Sequence, residues 1–329
     1  MVRGMTISCQ TWGWEWGTPG FAQELDDLQG LGANWVAIHP YASVRADGSL
    51  GWREIDAERP PDWLRVPLEE ARRRGMGLLI KPHLAYWGSP FSWRGEIRFD
   101  EPAAKARFFA DYERWIVELA RATRGAQAFA VGTELQGMLA DDAQWREVIA
   151  SVRAATDARL TYAANWDSFS RVPFWDALDA VGVQGYFPLS DEPNPGVDAL
   201  RQGWSRALDE LRGVHERTGK PVVFTELGYS CSLEAARRPY AYGQAAPEDR
   251  ERAGRLQARC MNVALAMLED ERAWLRGAFL WKWFVGEPGR GDGDFRVDAP
   301  HMRAVLTEAW GLDDEAEERG RRADVRGGR

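Results

Sequence analysis

Short apolar runs alternate with longer amphipathic stretches along this chain. That alternation restricts the fold more than any other feature. The apolar runs are Met5–Trp12, Asn34–Tyr41, Gly77–Leu84, Gln127–Glu134, Arg159–Ala164, Ala180–Tyr186, Pro221–Glu226 and Arg276–Phe284. Helical stretches lie near Gly20–Leu31, Asp62–Arg74, Pro102–Thr123, Asp142–Thr156, Val197–Thr218, Pro247–Glu269 and Pro300–Trp310, with a shorter one at Phe174–Leu178. Strands that alternate with helices form a parallel sheet, because each crossover returns the chain to start the next strand in the same direction. Eight such units without a linker predict an α/β fold made of a single (β/α)8 TIM barrel over residues 1–312. A doubly wound sheet would need a glycine-rich phosphate turn after its first strand, and here that turn is the bulky TWGWEWG. Residues 313–329 are charged and glycine-rich and read as a disordered tail.

Charge and composition remove several classes of function. The net charge is −8, so there is no cationic excess to neutralise phosphates, and nucleic acid is not an expected partner. No run approaches the roughly 18 apolar residues of a membrane span. Neither an apolar leader nor a small-residue cleavage site is visible at the start, which gives a cytoplasmic expectation. The three cysteines, Cys9, Cys231 and Cys260, form no metal-binding spacing and read as buried free thiols. With four histidines in the chain, a His/Cys metal centre is not expected, and no cofactor is implied. The segment Asp292–Asp298 lacks the spacing and terminal Glu of a calcium loop and reads as a solvated turn.

Two of the apolar runs end alike. AVGTEL closes on Glu134 and VVFTEL on Glu226. A carboxylate that terminates a buried strand is costly unless it has a partner or a task. In a (β/α)8 barrel the active site gathers at the C-terminal strand ends. Those ends offer Trp12, Trp14, Glu15 and Trp16; His39 and Tyr41; Lys81, His83, Tyr86, Trp87 and Trp93; Glu134 and Gln136; Asn165, Trp166 and Asp167; Gln184 and Tyr186; Glu226; and Trp281, Lys282 and Trp283. Strand alternation predicts that Ala128, Ala130, Gly132 and Glu134 face the barrel interior together, as do Val222, Phe224 and Glu226. Phe129, Val131 and Val223 would then face the helices. Lys81, on a barrel strand, needs an acidic partner. Two carboxylates across an aromatic rim suit glycoside hydrolysis: one gives a proton to the leaving oxygen, and the other attacks or stabilises the anomeric centre. Trp faces suit sugar stacking, and the chain has 17 of them.

At this point the sequence resembles glycoside hydrolase family 113, β-mannanases of the clan A barrel glycosidases. The resemblance lies in KPH at Lys81–His83, VGTEL at Val131–Leu135, LTYAANWD at Leu160–Asp167, FWDALDAVGVQGYFPLS at Phe174–Ser190, KPVVFTELGY at Lys220–Tyr229 and FLWKWF at Phe279–Phe284. It implies a retaining enzyme with Glu134 as acid/base and Glu226 as nucleophile. It also implies Tyr186 beside the nucleophile and Trp281 as floor of the sugar site. The clan often carries Asn before the acid/base, where this chain has Thr133, and an Arg on strand two, where it has His39. Lys81 or His83 is the candidate for that missing donor.

The expected catalytic residues are therefore Glu134 and Glu226. The expected substrate-binding residues are Trp12, Lys81, His83, Trp87, Asn165, Trp166, Tyr186 and Trp281, and the expected partner is an oligosaccharide or polysaccharide. A β-glucanase or exo-β-mannosidase on the same barrel is the alternative enzyme, and a non-catalytic sugar-binding barrel the alternative outside catalysis.

Overall fold

The computed structural model describes residues 1–243, 245–287 and 295–311. The tail at 313–329, and part of the acidic turn that begins at Asp292, lie outside them. Eight parallel strands close a barrel: β1 (Val2–Ser8), β2 (Trp35–Ile38), β3 (Gly77–Ile80), β4 (Ala128–Thr133), β5 (Arg159–Asn165), β6 (Val181–Gln184), β7 (Val222–Leu227) and β8 (Leu275–Phe284). Each strand pairs with its neighbour in sequence, and β8 closes on β1. This is the (β/α)8 barrel that the alternation predicts.

The surrounding helices are α1 (Pro19–Gly30), α2 (Asp62–Arg73), α3 (Pro102–Ala122), α4 (Asp142–Ala155), α5 (Val197–Thr218), α6 (Arg250–Asp270) and α7 (Pro300–Trp310). α5 stops at Gly219, which takes φ 65° and donates its N–H to His215 O, a conformation that favours glycine. The crossover from β5 to β6 holds only two 3-10 turns, Phe169–Arg171 and Trp175–Ala177, in place of the short helix expected at Phe174–Leu178. Pro173 between them has no N–H with which to continue a ladder.

Proline also trims two strands. The expected strand at Asn34–Tyr41 ends at Ile38, before Pro40, and the one at Gly77–Leu84 ends at Ile80, before Pro82. The chain then runs on as Tyr41–Val44 and His83–Ala85, which pair with each other in a small sheet above the barrel, where Tyr41–Val44 is the middle strand and also pairs with Leu50–Gly51. That sheet brings Tyr41 and His83 side by side at the barrel mouth.

The barrel interior changes character along its axis. Its lower part is apolar: Ala37, Leu79 and Phe279 pack with Val2, Trp35, Ala128 and Val223. Gly4 and Gly77 make room there, since a Cβ at either would run into the rings of Phe279 and Trp35 respectively. Higher up, the buried residues Thr6, Ser8, His39, Lys81, Gln184 and Thr225 are polar. Burying that layer is favourable only if its members find partners.

Two irregularities decide where the acids point, and they correct the alternation argument. On β7, Val223 belongs to the interior cluster, whereas Phe224 packs on Trp204 of α5 at 5.6 Å between ring centroids. Val222 and Phe224 therefore face outward, the reverse of the expectation. Against β6, Phe224 pairs with Val183 but Glu226 with Gln184, so Thr225 is an extra residue, and this bulge turns Glu226 inward. On β4, Ala128 lies inside and Phe129 and Val131 outside as expected. Gly132 does not follow, because a Cβ there would meet Tyr162 and Trp145 in the outer layer. A register shift between Ala130 and Thr133, followed by a left-handed backbone at Glu134 with φ 57°, re-aims the carboxylate. A left-handed non-glycine residue is strained and clusters at functional sites.

Candidate active site

A cavity of about 1000 Å³ opens at the C-terminal ends of the strands, where both acids line it. Of the residues expected to bind substrate, Trp12, His83, Trp87, Asn165, Trp166, Tyr186 and Trp281 also line it. Lys81 does not. It is fully buried beneath Glu226 and reaches that carboxylate from below.

Glu226 is held by two donors. Lys81 Nζ donates to Oε1 and also to Thr225 O at 3.0 Å, while the Tyr186 hydroxyl donates to Oε2 at 2.7 Å. One cationic and one neutral donor on the two oxygens suit an anionic carboxylate fixed in orientation. Burial depresses the Lys81 amine below its usual range; the Glu226 charge opposes this without cancelling it. Tyr186 is pushed well above the usual phenol range by burial and by Glu226 beside it, so it stays a proton donor. His83 Nε2 stands 3.6 Å from Glu226 Oε1, and neither of its ring nitrogens has a hydrogen-bond partner. Burial first, and the Arg94 charge second, hold that imidazole neutral, well below the usual histidine value.

His39 stacks under His83 at 4.8 Å, with its Nε2 at 3.2 Å from Ser8 Oγ, and is kept neutral by burial. It therefore supports the site from below. Trp281 lies against both imidazoles, at 5.4 Å from His39 and 6.1 Å from His83. The Lys81 ammonium is 5.1 Å from the Trp281 ring, so cation, carboxylate and aromatic floor form one packed group.

Glu134 has a different environment. Arg94 Nη1 donates to its Oε2 at 2.5 Å, and Arg94 Nε holds Leu84 O at 3.0 Å. Burial works against the charged guanidinium, but Glu134 and the other negative groups nearby outweigh it and hold the Arg94 pKa above its usual value. The main chain around Glu134 is tied to β5, through Glu134 N to Ala163 O at 2.9 Å and Leu135 N to the Tyr162 hydroxyl at 2.8 Å.

Sequence reasoning missed Arg94, Tyr240, Tyr242 and Phe295, all of which line the cleft. Arg94 sits in a 3-10 turn, Arg94–Glu96, inside the aromatic loop after β3. Its signal was a single cation directly after Trp93. Tyr240 and Tyr242 lie in the loop after β7, where nothing periodic marks them. Of the cysteines, expected to be buried, only Cys260 is; Cys9 and Cys231 are partly buried, and Cys9 lines the cleft. Among the described residues no three of His, Cys, Asp or Glu gather to hold a metal ion, and no helix is long and apolar enough to cross a membrane.

A (β/α)8 barrel that brings one carboxylate from β4 and one from β7 into a single aromatic cleft has the architecture of a barrel glycosidase. The sequence profile of Glycoside Hydrolase Family 113 matches residues 5–290, and the chain belongs to that family. Its substrate class is therefore carbohydrate. Among solved structures, the family 113 β-mannanase AaManA from Alicyclobacillus acidocaldarius is similar at 25% identity. Its TM-score is 0.79, over 94% of this chain and 96% of the other. A second family 113 β-1,4-mannanase reaches the same TM-score of 0.79 at 21% identity, over 94% of this chain and 99% of its own. A β-glucuronidase of Ruminococcus gnavus shares the fold alone, with a TM-score of 0.61 and 14% identity over half of its length. No curated protein matches the chain in sequence.

Proposed function

We propose that this protein hydrolyses β-1,4-mannosidic bonds in mannan or manno-oligosaccharides with retention of configuration. The observation that carries the reading is the unequal pairing of the two acids. Glu226 is fixed by Lys81 and Tyr186, and Glu134 by Arg94, in the same cleft. The similarity to β-1,4-mannanases at 21–25% identity supports the sugar and linkage.

In this reading Glu226 attacks the anomeric carbon as a carboxylate. The glycosidic C–O bond breaks, and the proton of Glu134 passes to the leaving oxygen. A water then attacks the glycosyl ester, Glu134 takes its proton, and Glu226 leaves as the carboxylate. Trp281 supplies the apolar floor beneath the reacting sugar. His83, neutral and with both nitrogens unpaired, supplies a donor or acceptor for a sugar hydroxyl.

The test is product analysis on β-1,4-mannohexaose beside cellohexaose, with Glu226→Ala as control. Short manno-oligosaccharides from the first substrate alone, absent with the variant, are expected. Cleavage of cellohexaose in preference would move the assignment to a β-glucanase, and normal turnover by Glu226→Ala would remove that residue as nucleophile.

A further inference from the structure

Glu134 sits at a break between two pieces of regular backbone. β4 ends at Thr133, Glu134 itself takes φ 57°, and a 3-10 turn follows at Gln136–Met138. A non-glycine residue keeps a left-handed conformation only where its surroundings over-determine it. Here three aromatic side chains hold the segment from the side of the helices. The Tyr112 hydroxyl donates to Val131 O at 2.9 Å, and Trp145 Nε1 donates to Met138 O at 2.9 Å. Between these two bonds, the Tyr162 hydroxyl accepts the N–H of Leu135, the residue directly after Glu134, at 2.8 Å. The rings form one cluster, with centroids 5.5 Å apart for Tyr112 and Trp145 and 5.6 Å apart for Trp145 and Tyr162. All three are buried, and none lines the cleft.

Tyr162 is placed differently from the other two. The ladder between β4 and β5 ends with Thr133 beside Ala163 and with Glu134 N on Ala163 O. The next N–H, that of the buried Leu135, lies beyond the ladder. A buried N–H without an acceptor is costly, and the hydroxyl of Tyr162, one residue before Ala163, is the acceptor it finds. Both peptide groups that flank the Glu134 Cα are thereby tied to β5, one through the main chain and the other through a side chain. The ring itself has little freedom. Phe174 and Trp175 pack on it at 5.5 and 6.3 Å, and its place beside β4 exists because residue 132 is glycine, where a Cβ would stand 2.7 Å from the ring.

We propose that Tyr162 is a positioning residue for proton transfer: through the N–H of Leu135 it holds the main chain of Glu134 in the left-handed conformation that aims the carboxyl group at the leaving oxygen. This rests on the mannan-hydrolase reading with Glu134 as acid/base, and it adds to that site a group that lies outside the cleft.

The experiment measures kcat/KM of Tyr162→Phe on β-1,4-mannohexaose and on dinitrophenyl β-mannotrioside. The sugar alcohol released from the first substrate needs a proton as its bond breaks, whereas dinitrophenolate leaves without one. Tyr162→Phe is expected to lower kcat/KM on mannohexaose about tenfold and to leave that on the dinitrophenyl substrate within about twofold. The ratio of the two values does not depend on how much of the variant folds. Tyr112→Phe, which loses a hydroxyl of the same cluster three residues ahead of Glu134, should leave the ratio unchanged. An unchanged ratio in Tyr162→Phe, whether activity is kept or lost on both substrates, would overturn the inference while the mannan-hydrolase reading stands, and so would an equal shift in Tyr112→Phe. Glu134→Ala should shift the ratio at least as far as Tyr162→Phe, and no shift there would overturn the acid/base reading itself. Cleavage of neither substrate by the unaltered protein would overturn the mannan-hydrolase reading and the inference that rests on it.

Discussion

The ammonium of Lys81, at the top of β3, donates to Oε1 of Glu226, at the end of β7 on the opposite wall of the barrel. The two residues are 145 positions apart and both are buried, so closure of the barrel and formation of the site are one event. Removing the cation leaves an uncompensated buried carboxylate. Such a loss costs about 3–5 kcal/mol. Lys81→Ala is therefore expected to lower unfolding stability by that order in urea titrations, and to depress kcat as well. A change below about 1 kcal/mol would show that water reaches Glu226 easily and that the pair is not structural.

His39 and His83 give the protein an acid-sensitive fold. Burial keeps both imidazoles neutral well below the ordinary histidine value. As pH falls through about 6.5, the unfolded chain takes up protons at these positions and the native chain does not. Stability therefore rises with pH in that region and is lost on acidification, by up to about 1.4 kcal/mol per pH unit for each group. Between pH 7 and 5 the urea midpoint should fall less in His39→Phe than in the unaltered protein. Equal falls would mean that His39 titrates normally in the native state.

Arg94 ties the loop after β3 to Glu134. Its guanidinium donates to Glu134 Oε2 at 2.5 Å and to Leu84 O at 3.0 Å. An Arg94→Met variant removes both bonds, and a carboxylate that loses a charge-assisted donor loses its fixed orientation. That variant should lower kcat/KM by about tenfold or more while the protein stays folded by circular dichroism. An unchanged kcat/KM would separate Arg94 from the positioning of Glu134.

The barrel was legible because the strand–helix alternation survives in all but the fifth unit, whose crossover holds only 3-10 turns, even where proline cuts a strand short. Both acids were legible as charges ending buried strands. How they enter the cleft was not. Alternation placed Phe224 inside, yet Phe224 packs on Trp204, and a bulge at Thr225 delivers Glu226. A bulge leaves no mark in a hydrophobic pattern. Arg94 was hidden for a related reason: it meets Glu134 across 40 positions from a loop whose course depends on the small sheet above the barrel. Lys81 was recognised as needing an acid, but its position under Glu226, and not beside the sugar, follows from interior packing in which it continues the inward set begun by Leu79.

The most direct test of the account is the anomeric configuration of the first sugar released from β-1,4-mannohexaose, followed by proton NMR within the first minutes. Attack by Glu226 and then by water inverts the anomeric centre twice, so the β-anomer should appear first and then mutarotate to the equilibrium mixture. Initial release of the α-anomer would contradict the account, because a single displacement by water leaves no role for Glu226 as nucleophile.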